Sequence, residues 1–276
     1  MYLVLSLTTL LLLSAALSTW RGYMILAAER GTPLDLSSVT LAVFARETIA
    51  RTILIVGRPL AWFPSDTHFG GRRSGHKGVV LLVPGGAGEY GILYFLERFL
   101  RQRGWQSARF CPQSWKGSLE DQSRNLARAV EHACQSTQSE RIRIVAFGRG
   151  GLLASWYVQH LDGSDRIQRL VTIGTAWSGT RMAVFRNATA RRDLQLNNAR
   201  LDGLSPPNVS TVCIWSVDDP EVIPPQSAVI DHGTDPIAIA EAGHYEMMIS
   251  ARVYRTVDMA LERQGKPAAV ANETPT

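Results

Sequence analysis

The chain opens on an uninterrupted apolar run. Residues 2–20, YLVLSLTTLLLLSAALSTW, carry no charge, and Ser and Thr alone break the run. That length is about what a helix needs to cross a hydrocarbon core. A cleaved signal peptide is the competing reading. It wants a basic n-region, which is missing, although Ala16-Leu17-Ser18 has the form of a cleavage site. An uncleaved anchor fits the long run better. A second apolar stretch, 36–63, differs by carrying Arg46, Glu47, Arg51 and Arg58. Glu47 and Arg51 stand four apart, on one helical face. Charges are costly to insert, so an amphipathic helix lying at the membrane interface is expected in preference to a second crossing. A hairpin of two spans is the alternative. Residues 1–63 are therefore read as the membrane region and 64–77, PSDTHFGGRRSGHK, as a linker. Residues 78–264 form the soluble domain and 265–276 a flexible tail.

Past the linker the pattern changes. Residues 78–83, GVVLLV, are a continuous apolar run ended by Pro84-Gly85-Gly86, the mark of a buried parallel strand. Leu93, Leu96, Phe99 and Leu100 then recur at helical spacing over 90–103, and Gly104 stops that helix. Further strands are predicted over 106–110, 141–147, 170–173 and 211–215. Ser118 and Asp121 form a capping pattern ahead of a helix bearing Leu126, Val130 and Cys134. A tight turn over 148–151 leads to a helix over 152–161, and a last helix covers 250–261. Strands alternating with helices predict an α/β fold, a mostly parallel sheet with helices on both faces.

Composition narrows the picture. With 276 residues, 45% hydrophobic and 19% charged, the chain is neither disordered, collagen-like nor a coiled coil. Cys111, Cys134 and Cys213 lie far apart with no CxxC, so neither a disulfide framework nor a zinc cluster is expected, and no other cofactor. The net charge is +5, carried almost wholly by arginine. It is scattered instead of gathered on one stripe with aromatics, which speaks against a nucleic-acid partner and for a solvated surface or anionic lipid. Arg58, Arg72, Arg73 and Lys77 follow the apolar region closely, which by the positive-inside rule puts the globular part on the cytoplasmic face.

In a parallel sheet the chemistry sits at the carboxyl ends of the strands. After RIRIVAF the chain reads Gly148-Arg149-Gly150-Gly151-Leu152. This has the shape of a nucleophile elbow, which needs small residues two before and two after the nucleophile. Ala146 and Gly150 satisfy that, but the central position, which should be Ser, Cys or Asp, is Gly148. From here the chain resembles the α/β-hydrolase superfamily, most of all bacterial lipases and esterases with a membrane-held N-terminus. Val83-Pro84-Gly85-Gly86 stands in place of the family's His-Gly oxyanion loop, with Pro84 for the usual His. Gly174-Thr175-Ala176-Trp177-Ser178-Gly179-Thr180 resembles the strand continuation Gly-Thr-Pro-His-x-Gly-Thr. The run from Ile214 to Pro225 resembles the acid loop, with Asp219 on the acid. Ala242-Gly243-His244, followed by Ser250-Ala251-Arg252-Val253-Tyr254, resembles the histidine loop.

The resemblance implies Asp219 as the acid, His244 as the base it orients, Gly148 as a degenerate nucleophile position, and the amides of Gly86 and Arg149 as the oxyanion hole. Tyr90 and Trp177 are candidate pocket residues. Asp218 is the alternative to Asp219. Ser155 lies about two helical turns past the elbow, out of reach of His244, and Ser178 is a weak substitute nucleophile. The Arg149 side chain is expected near the pocket mouth or in solvent, and Cys213 in the core. The leading expectation is a membrane-anchored hydrolase-fold protein without its nucleophile, binding a lipid, an acyl ester or a partner. The alternative is an ester or lipid hydrolase in which His244 activates water. A purely structural membrane protein ranks last.

Overall fold

Strands β1 (Val79–Val83), β2 (Gln106–Arg109), β3 (Ile142–Phe147), β4 (Ile167–Ile173), β5 (Thr211–Trp215) and β6 (Thr234–Ala238) form one sheet in the order β2-β1-β3-β4-β5-β6. Every pairing is parallel. The computed structural model describes residues 2–34, 37–59, 69, 76–112, 114, 116–196, 198–202, 204, 207–230 and 233–263. The helices in chain order are α1 (Tyr2–Arg30), α2 (Ser38–Gly57), α3 (Ala87–Gln102), α4 (Leu119–Thr137), α5 (Arg149–His160), the short α6 (Ala188–Leu194) and α7 (Ala199–Asp202), and α8 (Ala251–Glu262).

The central strands read as apolar runs because both of their faces are covered. Alternate residues feed two cores. Leu81, Val83, Ile144, Ala146 and Leu170 pack with Leu126 and Val130 of α4 and Leu152 and Leu153 of α5. Val80, Leu82, Val145, Phe147, Val171 and Ile173 pack with Ile92 and Leu93 of α3 and Val253 and Val257 of α8. Ala50 and Leu54 of α2 belong to this second core. Helices α2 and α3 meet backbone to backbone, since a Cβ on Gly91 would lie 2.7 Å from the Gly57 carbonyl oxygen.

The N-terminal helices therefore depart from expectation. The helix expected over 2–20 runs on to Arg30. Its C-terminal half docks on the α/β body, where Tyr23 and Leu26 are buried with Val43, Met182 and Ile223. The second expected helix, 36–63, is α2, and 60–63 lie outside the described residues. Glu47 and Arg51 do not face a wet interface. They are buried, 0% and 7% exposed, against loops of the body. Helix α1 is still the one described helix long and apolar enough to cross a membrane, over Thr8–Arg30, with 33% of its most apolar stretch buried. Leu10, Leu13, Leu17 and Trp20 are exposed on its outer side. Of the expected linker 64–77, only residues 69, 76 and 77 are described. Residue 264 and the tail 265–276 lie outside the described residues.

Three elements escape the sequence pattern: β6, α6 and α7. Strand β6, TDPIA, is a largely exposed edge containing Pro236, so it has neither an apolar run nor a clean alternation. The turn expected over 148–151 is instead the first turn of α5, which begins at Arg149.

Candidate active site

The corner between β3 and α5 is built from glycine for steric reasons. Gly148 has φ +53° and ψ −125°, a conformation that strains any residue with a Cβ. Its amide is tied to the Ile173 carbonyl at 2.9 Å. A Cβ on Gly150 would lie 2.3 Å from the Val83 carbonyl oxygen, so the helix can approach β1 only with glycine there. Around a Cβ on Gly148 the picture is the reverse. Among the described residues, the one atom within 4 Å would be His244 Nε2, at 3.7 Å.

The acid and histidine arrive from the loops after β5 and β6. Asp219 Oδ1 accepts from the amides of Glu221 at 2.7 Å and Val222 at 2.9 Å, and Oδ2 stands 2.7 Å from His244 Nδ1. Asp218 turns elsewhere, to Arg30 at 3.3 Å and the Glu241 amide. The buried His244 ring lies between Phe147 and Tyr245, at 4.7 and 5.0 Å. Burial by itself lowers its pKa. The carboxylates of Asp219, Glu221 and Glu47 outweigh that and raise it.

Behind the pair lies a buried ionic network that the sequence reading missed. Glu221 is bonded by both Arg51 and Arg186. Burial pushes its pKa up, but the two arginines prevail and hold it at about 2. Arg51 donates from Nε to Thr19 at 3.1 Å and from Nη1 to Ser18 at 3.0 Å, and stacks over Tyr245 at 4.8 Å. Two of the hydroxyls that interrupt the apolar run of α1, Ser18 and Thr19, are thus ligands of a guanidinium. Glu47, 3.4 Å from Arg51, accepts from the Glu246 amide at 2.9 Å beside the histidine loop. Burial, opposed by Arg51, leaves its pKa at about 7. The only sequence signal of this network was the spacing of Glu47 and Arg51, and an exposed pair has the same spacing.

A second missed residue is Glu89, in the first turn of α3. The Gly85 amide donates to its Oε2 at 2.5 Å, and the Gly86 amide also stabilises its charge. Burial raises its pKa against the pull of Arg186 and His244. An acid three positions after the N-cap Gly86 was the available signal.

These groups line a cavity of about 420 Å³. Gly86, Glu89, Gly148, Arg149 and His244 form one side, and Leu54, Leu194 and Val222 supply apolar wall. Arg58 of α2 also borders it. The Arg149 side chain is neither a free cation at the mouth nor solvated, as was expected. It is buried against Asp193 at 2.7 Å and Gln122 at 3.0 Å. Tyr90 and Trp177, expected as pocket residues, belong to the core. Tyr90 is 1% exposed beneath the Arg109 guanidinium, and Trp177 is 2% exposed with its amide bonded to Ser227. Ser155 is buried with its hydroxyl bonded to the Leu204 carbonyl, and Ser178 is exposed. Cys213 is buried in β5. Among the described residues no group of His, Cys, Asp and Glu has the makings of a metal site.

No family model matches the sequence, and no curated protein matches it. Solved structures do resemble the fold. Lipase B of Aspergillus fumigatus aligns with a TM-score of 0.58 at 15% identity, over 75% of this chain and 57% of the lipase. The mature form of the Bacillus licheniformis lipase BlEst2 aligns with 0.58 at 13% identity, over 69% of this chain and 94% of that one. A structure from the metagenome-derived lipolytic enzymes LipS and LipT aligns with 0.52 at 12% identity, over 68% and 96%. The chain thus spans little more than half of the Aspergillus enzyme and nearly the whole of the other two. Identities this low speak to architecture alone. With its parallel six-stranded sheet, helices on both faces and a strand–glycine–helix corner after β3, this chain has the α/β-hydrolase fold.

Proposed function

We propose that this protein is a membrane-held relative of lipases and esterases that has lost the nucleophile and uses the retained pocket to bind a small lipid-like or acyl ligand. One observation carries the reading. At Gly148 the backbone keeps the elbow conformation and the space for a side chain faces His244 Nε2, yet there is no side chain to fill it. Without an Oγ no acyl-enzyme can form, and loss of the nucleophile alone removes most of the catalysis by such a triad. The apolar outer side of α1 supports attachment to a membrane, and the basic residues after α2 favour its cytoplasmic side.

A second reading is favoured by the 2.7 Å bond between His244 and Asp219. In it His244 takes a proton from a water standing where the serine would be, and the amides of Gly86 and Arg149 hold the oxyanion. The test is hydrolysis of p-nitrophenyl butyrate and octanoate by the full chain and by His244→Ala. The binding reading expects wild type to be no faster than the variant. Turnover that His244→Ala abolishes overturns it in favour of the second.

A further inference from the structure

The space beside Gly148 is not chemically neutral. In acyl transfer, the corner between the loop after β1 and the start of α5 presents amide donors to a developing negative charge. Here that corner already holds a carboxyl group. Glu89 reaches back from the first turn of α3, and the amides of Gly85 and Gly86 both act on its carboxylate. A Cβ on Gly85 would lie 2.9 Å from Glu89 Oε2 and 2.8 Å from the Arg149 amide nitrogen. The carboxylate therefore sits between the two segments from which both expected oxyanion donors come. Glu89, Gly148 and His244 border the same cavity, to which Leu54, Leu194 and Val222 contribute apolar lining.

We propose that Glu89 determines the specificity of this pocket: by occupying the amide donors of the loop after β1, it excludes carboxylates and acyl oxyanions and selects an amphiphile bearing a hydroxyl. The hydroxyl donates to the Glu89 carboxylate in the space that Gly148 leaves open beside His244, and the alkyl part lies along the apolar wall. A second carboxylate brought to the Gly85 and Gly86 amides finds both already turned to Glu89, and the cost of an unpaired carboxylate is high in a site with little water. This inference rests on the vacant-nucleophile reading above and names the ligand class for that site. Glu89 also caps α3. A capping role alone would change stability without changing which headgroup is preferred.

The test compares hexan-1-ol with hexanoate. The full chain in detergent micelles is titrated with each, and binding is read from the His244 imidazole resonance in wild type, Glu89→Gln and Glu89→Ala. Partitioning into the micelle is common to all three proteins and drops out of the ratio of the two affinities. The ratio is expected to move at least tenfold toward hexanoate in Glu89→Ala and part of the way in Glu89→Gln, which keeps the shape and loses the charge. An unchanged ratio in both variants overturns the assignment. A second arm places Gly148→Ser in the wild-type and Glu89→Ala backgrounds and measures labelling by a fluorophosphonate. In that step the introduced hydroxyl attacks phosphorus, His244 takes its proton, and the P–F bond breaks with loss of fluoride. Labelling at least 100-fold faster in the double variant is expected, in line with the weight of an oxyanion donor. Equal labelling of the two overturns the role of Glu89 and leaves the vacant-nucleophile reading intact. A shifted affinity ratio with no labelling in either background upholds Glu89 and counts against the vacant-nucleophile reading.

Discussion

Two corners of the pocket stand in opposite condition. At the end of β3 the chain is reduced to glycine, and among the described residues only His244 stands within 4 Å of the place of a side chain on Gly148. At the ends of β5 and β6, Asp219, Glu221 and His244 are held by backbone amides, by two arginines and by a carboxylate from α2. The contrast has an energetic cause. An elbow serine contributes reactivity but little stability, and its backbone conformation penalises every residue except glycine. The loss of the nucleophile therefore relieves strain. Removing one member of a buried ionic network leaves its partners charged and unpaired. On the proposed reading, the acid and histidine thus have a structural reason to persist without acyl transfer. Their presence is a weak argument for activity.

This asymmetry can be broken experimentally. Arg51→Ala should have the largest effect, a loss of about 3–5 kcal/mol in chemical denaturation of the full chain, because Glu47 is left buried without its cation and Glu221 keeps only Arg186. The acid limb comes next. Glu221 falls from an ordinary value of 4.5 to about 2 on folding, so its stabilisation is complete above pH 4.5 and is lost as the pH drops through 2. That loss should reach about 3 kcal/mol, and Glu221→Gln should flatten the stability–pH curve in this window. At the other corner, Gly148→Ser should cost only about 1–3 kcal/mol of unfolding free energy, since the strain is local and the space is open. A loss as large as that of Arg51→Ala would remove the contrast. Glu47→Gln should have the smallest effect. Its folded pKa, about 7, lies above its ordinary value, so this group favours the fold at low pH and that contribution fades as the pH rises from 4.5 to 7. At pH 8 the variant, which still accepts from the Glu246 amide, should be no less stable than wild type by thermal unfolding.

The fold was legible because continuous apolar strands, helical spacing and glycine stops agreed with one another from Gly78 to α8. Gly148 stood out because it follows a predicted strand end, whereas Asp219 and His244 were picked out by the resemblance of their loops to the family's acid and histidine loops, since the strand before His244 escaped the pattern. The bracing was not. Arg51 and Glu221 are 170 residues apart, and four-residue spacing looks the same whether a pair faces water or another helix. Ser18 and Thr19 passed as tolerable interruptions of an apolar run because their partner belongs to another helix. For Tyr90 and Trp177 the sequence left open whether they line the pocket or cover the core, and they cover the core. Proximity to a strand end does not reveal which side of the backbone a ring takes, and both rings point into packed protein.

Held in a bilayer, α1 behaves as a stem and not as a tether. From Ser18 to Arg30 it is engaged with the body, through Arg51 near one end and through Arg181, Asp218 and the Val217 carbonyl at the other. The globular part then has no slack in which to swing. In that case the tilt of the cavity follows the tilt of the helix.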